Sequence, residues 1–331
     1  MDIISKNTPK KQHYVPQFLL KNFSINDTEQ LYTYDKLKNV SYKTSVKDSA
    51  CENGFYNINL NDQCLTYEHK LSKLEGVSSE IIKSIIDTES LEKLDEPEDD
   101  HIILCFFVSN LLLRVKKQRE LSQQLNTSIC TFIKGLGYNP NDFSNFKELN
   151  EEEIKSNHVS SLSNQIVNAA NTFAGKPIRL LKAPNNIEFI ISDNPVVMYA
   201  HKKNRFKSKG YSVDNVEIFL PISKKLCLSF MCPKLTEEIL EKYTFIQNNK
   251  HIYTELNNYD TDSTLRLLES ISSGKALQIS EAEIRFINSL QIVDSYSRIY
   301  QSTDNFNHAK EIMYKNPNLK NNILVNNNLP D

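Results

Sequence analysis

The hydrophobic pattern of this chain changes period near residue 177. From Thr66 to Phe173 apolar residues recur at helical spacing, as at Leu71, Leu74, Ile81, Ile82 and Ile85. Beyond that point they form short β-rich runs: Ile178 to Lys182, Glu188 to Ser192, Val216 to Leu220 and Leu226 to Phe230. Pro-Asn-Asn, Asp-Asn-Pro and Pro-Ile-Ser-Lys-Lys turns separate the runs. A block of helices followed by a block of strands joined by short turns argues for an α+β fold. The expectation is a helical N-terminal half packed on a mainly antiparallel sheet of residues about 177–231, with further helices toward the C-terminus.

The remaining segments follow from local chemistry. Leu31 to Tyr34 and Val40 to Lys43 alternate and read as a hairpin joined by Asp35 to Asn39, and Gly54 to Ile58 reads as another strand. The Asp95 to Asp100 stretch around Pro97 is an acidic turn that caps the next helix. That helix runs unbroken from Ile102 to about Ile133 and stops at Gly135-Leu136-Gly137. Residues 138–147 read as a loop, and 151–173, 235–245, 261–273 and 281–300 as helices. One domain over residues 1–302 is expected, with an Asn-rich, poorly ordered tail over 303–331.

Composition narrows the function classes. Over 331 residues the net charge is −2, so there is no global basic footprint for nucleic acid. One local patch, Lys202, Lys203, Arg205, Lys207 and Lys209, suits a phosphate backbone. Only 7 glycines occur, none in a phosphate-cradling loop, which argues against nucleotide-binding P-loops. Six cysteines without a C-x-x-C pair, and no signal peptide, read as reduced thiols in a cytoplasmic protein. The longest apolar run, Ile102 to Leu113, falls short of the roughly 20 residues a membrane span needs.

Several segments combine polar groups with apolar flanks. The opening is Gln12-His13-Tyr14-Val15-Pro16-Gln17-Phe18-Leu19-Leu20-Lys21-Asn22-Phe23. Glu68 and Glu75 lie two helical turns apart, Arg114 follows the apolar helix, and Ile191-Ser192-Asp193-Asn194-Pro195-Val196 ends a strand run. Together these resemble a widespread, mostly microbial domain-of-unknown-function family. Its members open H-Y-V-P-Q-x-L-L-x-x-F and carry an E-x6-E spacing, an R-T-P-like segment and a later T/S-D-N-P-V segment. Here Val115 and Lys116 replace the threonine and proline. Leu220-Pro221-Ile222-Ser223 and Asn288 to Tyr300 match looser family segments, so the resemblance spans roughly residues 12–302.

Each residue carries two readings. His13 and Gln17 share one face if that stretch is helical, and a neutral imidazole serves as a ligand or base; the plainer reading is an anchor for the N-terminal arm. A helix would start near Pro16. Asp193 stands where hydrolases place an acid or a metal ligand, or else forms an Asx turn with Asn194 and Pro195. Glu68 and Glu75 face a site or a solvated side. Asn110, Arg114 and Gln118 form one polar stripe in which Asn110 must find partners, and Arg114 binds an anion or pairs with Glu75 or Asp193.

The function expected from these residues is a metal-dependent hydrolase acting on a phosphodiester, nuclease-like, with His13, Gln17, Glu75, Arg114, Asp193 and Asn194 in the site. His13, Glu75 and Asp193 would hold a divalent Mg²⁺ or Mn²⁺, with nucleic acid as partner and no membrane. The alternative is a non-catalytic binding or sensor module in which the same residues form a structural network. A metal-free RNA-binding toxin using the Lys202 to Lys209 patch and Arg114 for phosphates is a third. A role in phage defence is an expectation from the microbial spread of the family alone.

Overall fold

The computed structural model describes residues 1–5, 8–60, 62–95, 99–202, 210–249 and 261–321. The N-terminal part is stranded: β1 (Asp2–Ile3), β2 (Lys11–His13), α1 (Gln17–Lys21), β3 (Gln30–Asp35), β4 (Val40–Ser45), β5 (Cys51–Asn53), β6 (Asn57–Leu60) and β7 (Gln63–Thr66). Four helices follow, α2 (Glu68–Thr88), α3 (Asp99–Leu113), α4 (Lys116–Gly135) and α5 (Glu151–Ala174). Then come β8 (Ile178–Lys182), β9 (Ile191–Ser192), β10 (Val197–Ala200), β11 (Val216–Pro221) and β12 (Leu226–Phe230). The chain continues through α6 (Pro233–Asn248), α7 (Thr261–Ser273), β13 (Leu277–Gln278), α8 (Glu281–Asp294), β14 (Arg298–Gln301) and α9 (Asn307–Lys315). The fold is mixed α+β.

The apolar helix α3 is the centre of the packing. Leu104, Cys105, Phe107, Val108, Leu111 and Leu112 are buried around its circumference, exposure is confined to Asp99 and Ile102 in the first turn, and the helix lies between α2 and α5. A capping box of Asn150 and Glu153 starts α5, and one of Ser280 and Glu283 starts α8. In the larger sheet the strand order is β10-β11-β12-β8-β13, antiparallel except for the β13–β8 pair. Every residue of β11 and β12 is buried, as both-face coverage of central strands requires. A second antiparallel sheet runs β4-β3-β14-β9. Its β3–β4 hairpin turns where expected: the Asp35 carboxylate accepts the Leu37 and Lys38 N–H groups, and Asn39 takes a left-handed φ of 55°.

The helix expected over 102–133 is two helices. Val115 is extended (ψ 159°) and ends the run between α3 and α4 without any Gly or Pro to announce it. The position of the family's proline, Lys116, is the first residue of α4, where a missing N–H would matter least. The freed carbonyls find partners: His158 donates from Nε2 to Leu113 O at 2.9 Å, and the Tyr56 hydroxyl reaches Arg114 O at 3.5 Å. The break divides the expected polar stripe, since Asn110 stays on α3 and Gln118 joins α4. Both side-chain atoms of Asn110 are buried and find no partner among the described residues.

Three further expectations are corrected. The 188–192 run contributes only β9, and that strand pairs with β14 in the second sheet. The helix expected over 281–300 ends at Asp294, and Arg298–Gln301 is a strand between β3 and β9. The tail expected to be poorly ordered carries α9, whose Ala309 and Met313 are buried with Phe306 against Tyr34 and Ile299. Lys202 pairs with Glu238 at 2.6 Å; Lys203, Arg205, Lys207 and Lys209 lie outside the described residues, as do 322–331. No cysteine is in a disulfide, and no described helix is long and apolar enough to cross a membrane.

Burial pushes His158 down to about 4. A depressed histidine contributes stability that is complete above about pH 6.5 and lost as pH falls through 4. Wild type should therefore weaken by on the order of 2–3 kcal/mol across that window, and His158→Gln should remove this dependence in urea unfolding at several pH values. An unchanged pH slope in the variant would show that the imidazole is not buried in its neutral form.

Candidate functional site

Four of the polar side chains singled out in the sequence, His13, Gln17, Glu68 and Glu75, line one cleft of about 410 Å³ together with Lys11, Ser72 and Ser79. Pro16 arranges the first pair. Its φ of −57° and ψ of 142° end the extended arm and start α1 at Gln17, leaving Gln17 exposed while Leu19 and Leu20 are buried. His13 and Gln17 therefore meet across a turn and not along a helix face as expected. The spacing of Glu68 and Glu75 does put both on the cleft side of α2.

Arg114 lies behind the cleft with its side chain fully buried. It donates from Nη1 to Glu75 Oε1 at 2.7 Å and from Nε to the Tyr14 carbonyl at 3.1 Å. Among the described residues its Nη2 has no partner, and neither has Glu68 Oε2; both atoms are buried. The two groups interact electrostatically, so one spare donor and one spare acceptor remain within a single charged cluster. Burial, with the Glu75 carboxylate second, pushes Glu68 up to about 7, while Arg114 pulls it back. His13 Nε2 lies 3.1 Å from the Lys47 carbonyl. A carbonyl only accepts, so Nε2 carries the proton and Nδ1 is left as an acceptor. Burial holds His13 below its usual range, against the opposing pull of the Lys47 carbonyl and Glu75.

Asp193 and Asn194 are elsewhere. The Asp193 carboxylate accepts the N–H groups of Tyr296, Ser297 and Arg298 at 2.8, 2.8 and 2.9 Å and the Ser297 hydroxyl at 3.0 Å. Asn194 Nδ2 donates to Asp294 O at 3.0 Å. Both residues fasten the turn between α8 and β14, and neither lines the cleft. The expected ligand set of His13, Glu75 and Asp193 is thus not brought together. Among the described residues no group of three or more His, Cys, Asp or Glu side chains is placed to hold a metal.

A family model described as "Protein of unknown function (DUF4238)" matches residues 11–305. The chain belongs to that family. The match takes in the arm, α2, the α3–α4 break and the α8–β14 turn, so the cleft and the Asp193 knot both lie within the family's span. No curated protein and no solved structure matches the chain.

Sequence reasoning missed Gln12. Its Oε1 accepts the Tyr56 N–H at 2.6 Å and its Nε2 donates to Asn57 Oδ1 at 2.8 Å, which fixes the arm beside the cleft. Only its place in the opening stretch marks it, since a buried glutamine and a solvated one read alike.

Two outcomes separate the two knots. Asp193→Ala leaves three backbone N–H groups without an acceptor and should lower unfolding free energy by about 3–5 kcal/mol. Full stability in that variant by urea titration would contradict the structural role. For Glu68 the raised value means that its contribution is complete below about pH 4.5 and is lost as pH rises through about 7. Glu68→Gln should then be more stable than wild type at pH 8 by on the order of 1–3 kcal/mol and equal to it near pH 4. A variant less stable at both pH values would refute the protonated-acid assignment.

Proposed function

We propose that the cleft between the N-terminal arm and α2 is the active site of a hydrolase working by acid–base chemistry. Glu68 is the proton donor and His13 Nδ1 the acceptor that activates water. The observation that carries this reading is Glu68: a half-buried carboxyl in an open cleft, with one oxygen unpartnered beside the ion-paired Glu75 and a protonation midpoint of about 7. A neutral base and a protonated acid lining one cleft near pH 7 are the groups that general acid–base catalysis requires. Gln17 positions substrate, and Arg114 holds Glu75 in place and keeps the cluster charged.

The substrate class we favour is a phosphodiester, which makes the role nuclease-like and nucleic acid the partner of a cytoplasmic protein. The Glu75 carboxylate repels such an anion, so a divalent ion, Mg²⁺ or Mn²⁺, would have to be held on Glu75 for the diester to bind, with Glu68 kept protonated as the donor. The competing reading is a binding or sensor module. It is favoured by the four donors that saturate the Asp193 carboxylate, which leave that residue nothing to offer a substrate.

The test is turnover of bis-p-nitrophenyl phosphate and of single- and double-stranded oligonucleotides, with Mg²⁺, Mn²⁺ or EDTA. His13→Ala and Glu68→Gln should each lower kcat by about 10²-fold or more with circular dichroism unchanged. Calorimetry should find one divalent ion on wild type, bound more weakly by Glu75→Gln. No turnover by wild type, or turnover indifferent to both substitutions, moves the weight to the binding module.

A further inference from the structure

A second cleft, of about 330 Å³, lies where α4 and α5 diverge, and it differs from the others in charge. Four clefts of similar size elsewhere each carry at least two charged side chains. This one carries none. Its polar lining includes Gln118, Asn157, Gln165 and His158, and its apolar lining includes Leu149 and Ile154.

Asn157 and Gln165 stand exposed at the rim of the cleft and Gln118 is half-buried. The carboxamides of Gln118 and Asn157 make no hydrogen bond to the described residues, and Gln165 uses only Nε2, on the Ser161 hydroxyl at 3.1 Å. His158 is 7% exposed. Its Nε2 donates to Leu113 O at 2.9 Å, so Nδ1 is an acceptor, and that acceptor is buried with no partner. A polar atom withdrawn from water without a replacement bond calls for an explanation, and a ligand donor supplies one.

We propose that this cleft binds an uncharged heteroaromatic base, as the free base or the nucleoside. A carboxamide presents a donor and an acceptor side by side, which matches the edge of a nucleobase bidentately. Gln118, Asn157 and Gln165 supply three such groups, His158 Nδ1 supplies an acceptor, and Leu149 and Ile154 cover a flat apolar face. The absence of any cation among the lining residues gives a phosphate nothing to bind. The cleft is separate from the one assigned to hydrolysis, and the proposal stands without that assignment.

The experiment is isothermal calorimetry of the full chain against adenosine, guanosine, cytidine and uridine, their free bases, their 5′-monophosphates, and glucose. At least one nucleoside should bind, its monophosphate no more tightly, with affinity unchanged between 20 and 200 mM salt, as expected where no charge is read. Gln118→Leu and Asn157→Leu, at positions that hold no structural bond through the side chain, should each weaken binding about tenfold or more. The ¹⁵N resonance of His158 Nδ1 should move on saturation, which reports the contact without altering the buried residue. The proposal fails if no nucleoside binds at millimolar concentration, if both Leu variants bind as wild type does, or if glucose competes equally.

Discussion

The buried guanidinium of Arg114 is the constraint on which the middle of this molecule depends. A charge taken wholly out of water has to be met by an opposite charge and by acceptors of good geometry, and removing one partner of such a pair typically costs about 3–5 kcal/mol. Arg114 draws its partners from two places, the Glu75 carboxylate on α2 and the Tyr14 carbonyl on the arm, and itself stands directly after α3. The arm, α2 and the α3–α4 break are therefore fixed by one side chain. The break itself follows, because Val115 turns extended directly after the arginine and the continuing chain leaves along α4. The cleft opens on the solvent side of that same knot.

A second polar knot, around Asp193, is built the opposite way. Its carboxylate is fully used on backbone donors of the α8–β14 turn, while Lys36 reaches the Ser295 carbonyl of that turn from β3's end. Saturation and spare capacity distinguish the two sites. A carboxylate with four donors is explained by the fold it holds together. A cluster that keeps Arg114 Nη2 and Glu68 Oε2 unpaired beside an open cleft is not explained by folding alone.

How much of this was legible in the sequence depended on whether a signal was local. The hairpin of β3 and β4, the start of α1 near Pro16, the stop of α4 at Gly135 and the start of α5 at Glu151 all rest on neighbours in the chain, and all could be read. The two-turn spacing of Glu68 and Glu75 was equally local, and its pairing with Arg114 was one of the alternatives the sequence left open. The break at Val115 could not be read, because it is enforced by partners far away in sequence and not by a helix-breaking residue. The fate of Arg298–Gln301 was hidden for the same reason: Ser297 to Tyr300 continues an apolar pattern that fits a helix until Asp193 captures three of the turn's N–H groups. Asp193 itself occupies a strand end and suits a catalytic acid on paper. Only the tertiary placement of Tyr296 to Arg298 shows where its oxygens are spent.

The position of β14 between β3 and β9 has a consequence for how the chain is made. β3 and β4 emerge early from a ribosome, but the strand that covers the other edge of β3 lies more than 260 residues later, at Arg298–Gln301. For most of synthesis, then, the hairpin presents an unpaired edge whose N–H and C=O groups are open to any passing strand. Closing that edge requires loop closure across nearly the whole chain, which makes this sheet a late and slow event. Lys38 and Lys43 lie exposed on and beside β4, which stays the open edge of the finished sheet, charges of the kind that keep such an edge from pairing with a neighbour. β14, the last strand of the described residues, is thus the one that commits the β3–β4 hairpin to its final partner.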